Sequence, residues 1–527
     1  MGGREQLTVR NLPARIGSRA GRHPPLRIDS IQPLLRILTL VLVTAEAHAA
    51  GAGSPRAGEI ITEAGTTKTA QGETVSYELG TLFVPENRTV ANSRLIGVGF
   101  ARIKAARPTG APPIFILPGG PARSYLNAFT DEDAAAKKQL AGVFPFTAAG
   151  DVVVMDQRGY SKRGEELLVA RPHQPLDRPR TLAADAAEMV KLARDAVAAH
   201  PDKDLAGYTV VQCAEDVNDL RRALGYEQLT LSGQSFGSQW SFAVMKLHPE
   251  IVARAWLSGV EPLDNSFDMP SHVFAVLQRI AWDADRAPEL APWLPKGGVM
   301  EALRAVHARL ASGPLRVKVK DAATGKERTV VLGLEDFRAS LLMPPEAWPA
   351  FVLSLYHRHY DDWARAVLQE RQEETSPVRI LAPLIDSSLG VSAQRAHLLR
   401  TDPGTEALGM TDFDALIASA DAWPTPTVEE SLRISAPSPI PVLFFHGDWD
   451  TSTPIDNTLG MLPYFPNGRA LLVHRGVHHT RAPVFEQHPD LLPKVIAFLK
   501  TGDTRDFPVN VSLPVPTFQK PSFPPGR

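Results

Sequence analysis

The sequence predicts an α/β chain: a mostly parallel sheet flanked by helices, with a mainly helical insertion splitting the core. Three observations carry this. Short apolar runs bounded by Gly or Pro, at residues 114–117, 152–155, 229–231 and 442–445, suit strands buried on both faces. Longer helical patterns lie between them, at residues 181–200 and 208–224, the second stopping at Gly225. After about residue 264 that rhythm gives way to amphipathic helical stretches, and strands resume after about residue 436. Strands alternating with helices imply parallel pairing through right-handed crossovers.

The elements follow in order. Residues 1–30 are basic and lack apolar periodicity. An apolar run at residues 34–43 follows, then Ala47-His48-Ala49. A basic flank, a short apolar run and a small-x-small site describe a secretory signal peptide behind an extended leader, spanning 1–49. The run is too short to span a bilayer stably, and Arg36 interrupts it. Residues 55–264 are the first part of the core, opening with an antiparallel hairpin at 77–84 and 95–103. Residues 265–436 form the helical insertion, with helical stretches at 273–280 and 348–369 and one hairpin at 315–320 and 329–332. Residues 437–527 complete the core with strands at 442–445 and 470–473 and a helix at 491–499. The Pro-rich tail from residue 508 reads as extended, surface-packed chain.

Composition narrows the function classes. The 527 residues are 44% hydrophobic and 22% charged, as in ordinary globular proteins. The net charge of −2 gives no electrostatic reason to expect nucleic acid or an anionic membrane. The single cysteine, Cys213, excludes an intramolecular disulfide and any cysteine metal cluster, and its helical setting suits a buried apolar side chain. There is no H-E-x-x-H, P-loop or dinucleotide fingerprint, so no cofactor or metal is expected. Oligomeric state is not legible.

The residues that carry chemistry sit at strand ends. Gly233-Gln234-Ser235-Phe236-Gly237 follows one strand and opens a helix. A serine on so sharp a turn needs neighbours without side chains, which Gly233 and Gly237 supply. Serine alone is a weak nucleophile and needs a base, itself oriented by an acid. In this arrangement acid and base follow in chain order, after later strands. Asp448, Asp450 and Asp456 compete for the acid, and His478 and His479 for the base, while His474 reads as structural. Developing negative charge on the substrate needs two N–H donors. One is expected from Phe236, the other from Gly119 or Gly120 in the loop after residues 114–117.

These pieces together resemble the prolyl iminopeptidase and tripeptidyl aminopeptidase group of serine peptidases with the α/β-hydrolase fold. The matching segments are Gly119-Gly120-Pro121, residues 156–161 (DQRGYS), 214–225, 233–237, 447–454 and 476–480. They span most of residues 75–500. The resemblance implies a triad of Ser235, Asp450 and His478, with Arg158 held internally in a loop that walls the site. It implies that the insertion is a cap selecting substrate, and that Glu261 binds the substrate's free amino group. The chain departs from the group where Pro118 and Ala122 replace the usual His and Gly, and at Val477 and His479 beside the base. The expected activity is exported aminopeptidase action on short peptides with a free N-terminus. An esterase or lactonase with the same triad, and a non-catalytic binding module of this fold, are the alternatives.

Overall fold

The computed structural model describes residues 55–170, 174–373 and 377–525. The signal-peptide reading of 1–49 lies outside them. Ten strands form one sheet: β1 (Ile60–Lys68), β2 (Thr74–Pro85), β3 (Leu95–Ile103), β4 (Ile114–Leu117), β5 (Val152–Met155), β6 (Leu229–Gln234), β7 (Val252–Ser258), β8 (Val442–Gly447), β9 (Arg469–His474) and β10 (Asn510–Ser512). Their spatial order is β1-β2-β3-β5-β4-β6-β7-β8-β9-β10. The pairs β1/β2, β2/β3 and β3/β5 are antiparallel. Every neighbour from β5 to β10 is parallel. All carboxyl ends of that parallel block therefore open on one edge.

The short apolar runs are strands because both of their faces are buried. Ile114 and Ile116 enter one core, while Phe115 and Leu117 enter another. The first core also receives Val495, Phe498 and Leu499 of helix Leu491–Thr501. The second receives helices α1 (Val210–Ala223) and α2 (Phe236–Leu247), through Val217, Leu220, Trp240 and Val244. Helix α1 starts where the Thr209 hydroxyl accepts from the Gln212 amide and ends before Gly225, at φ 78°. Helices thus flank both faces of the sheet.

Between Ser258 and Val442 the chain is mainly helical, with a two-stranded hairpin of Leu315–Lys320 and Glu327–Leu332. The stretch read as one helix over 348–369 is two, Trp348–Tyr356 and Asp361–Glu373. Arg358 breaks it with φ 65°, while His357 Nε2 donates to the Trp293 carbonyl, 2.8 Å away. The insertion has its own core, built from Val276, Ile280, Leu303, Trp348 and Trp363 among others. That core also takes in Trp449 and Phe518 from outside it, with Val477 packed alongside.

Phe518 belongs to the tail. Three tail residues add a parallel edge strand, β10, beside β9. The chain then leaves the sheet for the insertion. The Phe518 amide donates to Glu289, and the Gln519 amide to the Glu346 carbonyl, at 3.0 and 2.8 Å. The Phe523 ring stacks on His359 at 3.6 Å.

Two ionisable groups are buried just past β5. Arg158 is fully enclosed and fully satisfied: Asp216 takes Nε at 2.7 Å and Nη2 at 2.6 Å, and the Glu86 and Gly207 carbonyls take Nη1. Paired and hydrogen-bonded in this way, a buried charge is tolerated. Asp156 has no such cation. Its Oδ2 accepts from the Ser161 hydroxyl and the Lys162 amide, while Oδ1 is buried without a partner. Burial outweighs those hydrogen bonds and raises its pKa to about 7.

Two outcomes follow. Phe518→Ala should cost about 3–5 kcal/mol in a urea unfolding series, since it empties a buried ring site; an unchanged midpoint would show that the tail is not part of the folded unit. Asp156 takes up a proton on folding between its ordinary pKa of 3.8 and about 7, so its contribution turns against the fold as pH rises through that window. Asp156→Asn keeps an acceptor toward Ser161 and removes the titration. Its stability relative to wild type should rise by on the order of a few kcal/mol between pH 4 and pH 8. A difference that does not change with pH would exclude this reading.

Candidate active site

The carboxyl ends of β4, β5, β6, β7, β8 and β9 deliver six loops to one edge, where ligands of open α/β sheets bind. Ser235 stands between β6 and α2 with φ 57° and ψ −132°, a conformation disfavoured for any residue bearing a Cβ. What holds it there is close packing around its neighbours. A Cβ on Gly233 would lie 2.2 Å from the Gly237 carbonyl oxygen, and one on Gly237 would lie 2.0 Å from that of Leu117. The Ser235 amide donates to the Ser258 carbonyl on β7, and the Ser238 hydroxyl donates to the Ser235 carbonyl. The turn is thus fastened from both sides. Ser235 is 4% exposed.

The acid and base loops are pressed together. A Cβ on Gly447 would lie 2.0 Å from the Gly476 carbonyl oxygen, and the Trp449 amide donates to that same carbonyl. This contact brings Asp450 to His478: the imidazole Nδ1 lies 2.9 Å from Oδ2 and 3.1 Å from Oδ1. Asp450 is further held by the amides of Ser452 and Thr453 and by the Thr453 hydroxyl, at 2.8 to 2.9 Å. His446 is buried behind it, with Nε2 against the Thr453 carbonyl at 2.6 Å and 3.5 Å from Asp450 Oδ2. Burial pushes the Asp450 carboxyl up, but the charge of His478 and the contacts of His446 and His478 prevail and hold it well below the ordinary carboxylate range. Asp450 is therefore held in its ionised form beside the imidazole.

The other candidates are placed elsewhere. Asp448 accepts from the Arg475 amide and contacts His474 Nδ1, each at 2.7 Å. Asp456 lies in the following helix, Ile455–Met461. The His479 ring meets the side-chain amide of Gln234, not Asp450. The same Gln234 amide donates to the His478 carbonyl at 3.1 Å. One glutamine beside Ser235 thus contacts the ring of His479 and the backbone of His478.

The glycines of the β4 loop divide their work. Gly119 lies against the nucleophile, where a Cβ would be 3.0 Å from the Gln234 carbonyl oxygen and 3.1 Å from Ser235 Cβ. Gly120, at φ 114°, makes the turn beyond it. Gln157 clamps this loop from β5. Its side-chain amide donates to the Pro118 and Gly119 carbonyls, and its Oε1 accepts from the Ala122 amide at 2.6 Å. Phe236 opens α2, so its amide is among those a helix start leaves without an intrahelical acceptor.

Glu261 follows β7. Its amide donates to the Ser238 hydroxyl at 2.9 Å, one hydrogen-bonded step from Ser235. Gly259, just before it, has φ 51°, and a Cβ there would lie 2.8 Å from His478 Cε1. Sequence reasoning missed Gly259, Gln234 and His446. Gly259 carries no motif of its own, and the other two act on residues far away in the chain or inside a loop.

Comparison with known proteins bears on the fold. No curated protein matches the sequence. Among solved structures, 2-hydroxy-6-oxo-6-phenylhexa-2,4-dienoate hydrolase from Rhodococcus sp. strain RHA1 is 12% identical, with a TM-score of 0.33 over 83% of this chain and 99% of its own. An esterase from Exiguobacterium antarcticum is 13% identical, with a TM-score of 0.32 over 83% of this chain and 100% of its own. Scores this low carry nothing about substrate. The family model for the alpha/beta hydrolase fold matches residues 112–476, which contain Ser235 and Asp450 and end at the loop bearing His478. The chain belongs to the alpha/beta hydrolase fold family.

Proposed function

We propose that this hydrolase is an exported serine aminopeptidase, releasing N-terminal residues or short peptides through an acyl-enzyme. The observation that carries the catalytic part is the strained Ser235 turn beside a buried Asp450–His478 pair. His478 takes the proton of Ser235 as its Oγ attacks the carbonyl carbon. The Phe236 and Gly119 amides stabilise the resulting oxyanion. His478 then protonates the leaving amine, and water, activated by the same imidazole, releases the acyl group. Asp450 orients the ring and stabilises its charged form.

The peptidase part rests on the resemblance to prolyl iminopeptidases and tripeptidyl aminopeptidases, with Glu261 as the partner of a substrate ammonium. Its backbone tie to Ser238 supports that role. The helical insertion is read as the cap. Trp449 and Val477, each next to a triad member, pack on its core, which supports a site roofed by those helices. Export rests on the apolar run and the Ala-x-Ala site at residues 47–49.

Chromogenic amides with aminoacyl, prolyl and tripeptidyl groups, N-terminally free or blocked, should be assayed beside a simple ester. Free-amine amides should be cleaved, and Ser235→Ala and His478→Ala should each lower kcat by about 10⁴-fold or more. His479→Ala should stay within about tenfold, since His479 touches Gln234 and not the acid. Ser235-dependent cleavage confined to the ester would make the chain an esterase, and a large loss only in the His479 variant would overturn the choice of base.

A further inference from the structure

We propose that Arg481 is a positioning residue of the catalytic apparatus: it docks the histidine loop on the nucleophile strand and, as a cation without a counter-ion, biases His478 toward its neutral, proton-accepting form. The inference rests on the reading of Ser235, Asp450 and His478 given above.

Arg481 lies three residues beyond His478, at the start of helix Arg481–Gln487. Its guanidinium reaches back under the elbow. Nη1 donates to the Ser232 hydroxyl at 3.0 Å, and Nη2 donates to the Gly233 carbonyl at 2.7 Å and the Trp256 carbonyl at 2.9 Å. The guanidinium carbon lies 3.7 Å from the centre of the Trp256 ring. One side chain thus ties the histidine loop to β6, two residues before Ser235, and to β7. With the Gln234 amide bonded to the His478 carbonyl, the base is held to the nucleophile strand at two points.

The charge is held without an acid. Arg158 is paired with Asp216, and Arg371 with Asp336. Arg481 makes no ion pair among the described residues. Its Nε is sealed from solvent with no hydrogen-bond partner. Two carbonyl oxygens, the Ser232 hydroxyl and the Trp256 π face surround it, with Tyr125 contributing electrostatically. Burial draws its pKa down to about 9, so it remains a cation at neutral pH.

This matters for the base. Among the groups facing His478 are Asp450 on Nδ1, the Thr453 hydroxyl, the His479 ring at 5.1 Å, and the backbone of Gly259; His446 lies behind Asp450. Asp450, the anion among them, favours the imidazolium, which cannot accept the Ser235 proton. A cation docked three residues further along the same loop opposes that pull.

The test uses the full chain and an alkyl fluorophosphonate, which requires no knowledge of the substrate. Ser235 Oγ bonds to phosphorus, fluoride leaves with the electron pair of the P–F bond, and His478 takes the hydroxyl proton. Fluoride release is followed against pH. Arg481→Lys keeps the cation and loses the planar fork; its plateau rate should fall about tenfold or more, with the acid-limb midpoint unmoved. Arg481→Met removes the cation; its midpoint should also rise, by about half a pH unit or more. Wild-type rate and midpoint in both variants would overturn the proposal. If the Met variant does not fold, the Lys variant decides alone, since a wild-type rate there leaves Arg481 no positioning role. Absence of labelling in the wild type, or labelling that survives Ser235→Ala, would instead overturn the assignment of the nucleophile.

Discussion

The loop-bearing edge of the sheet depends on how closely helix α2 approaches the strands. With carbonyl oxygens 2.2 and 2.0 Å from where the Cβ atoms of Gly233 and Gly237 would be, no other residue fits at either place. That approach leaves the chain one way to turn, and the turn forces Ser235 into a conformation it would not adopt alone. The strain persists because the surroundings over-determine it. The Ser235 amide is bonded across to β7, and its carbonyl is bonded within α2. The seventh strand therefore fixes Ser235 as much as the sixth does. The loop beyond that strand also supplies Gly259, whose missing side chain leaves room for the His478 ring.

Around this turn, polar groups are satisfied in a graded way. Gln157 and Arg158 are adjacent, and both are spent on carbonyls or acids of loops from other parts of the chain. They set the shape of the wall without exposing a charge to the site. Asp156, beside them, has one oxygen bonded and the other bare. Asp450 is bonded on both oxygens and remains ionised although enclosed. Two carboxyls at the ends of two strands thus take opposite protonation behaviour under similar burial, and the charge of His478 beside Asp450, with the contacts of His446 and His478, is the difference.

Much of the site was legible because its signals are local. The elbow is five residues between a short buried strand and a helix, and the order of acid and base follows from the fold. Which of the two histidines lies against Asp450 was not legible, because that contact joins two loops 28 residues apart in the chain. Strand β1 went unread because most of its residues are exposed at a sheet edge, so no apolar alternation marks it. The break at Arg358 is made by neither Gly nor Pro, so the helical pattern runs across it unmarked. Strand β10 is three residues long and owes its place to pairing with β9, a non-local fact.

The tail changes the mechanics of the helical insertion. The insertion is joined to the sheet where the chain leaves β7 and where it returns at β8. It is also tied down where Val378 and Arg379 pair with Val169 and Leu168, and where Ile380, Leu384, Leu389 and Trp423 enter the core of the sheet. Phe518, anchored in the insertion's core and continuous with β10 at the far edge of the sheet, is a further attachment. Attachments spread so widely oppose rotation of the insertion as a rigid body. Passage of a molecule to Ser235 then proceeds by local rearrangement of helices against one another, a shear of packed surfaces, and not by the insertion swinging open as one piece.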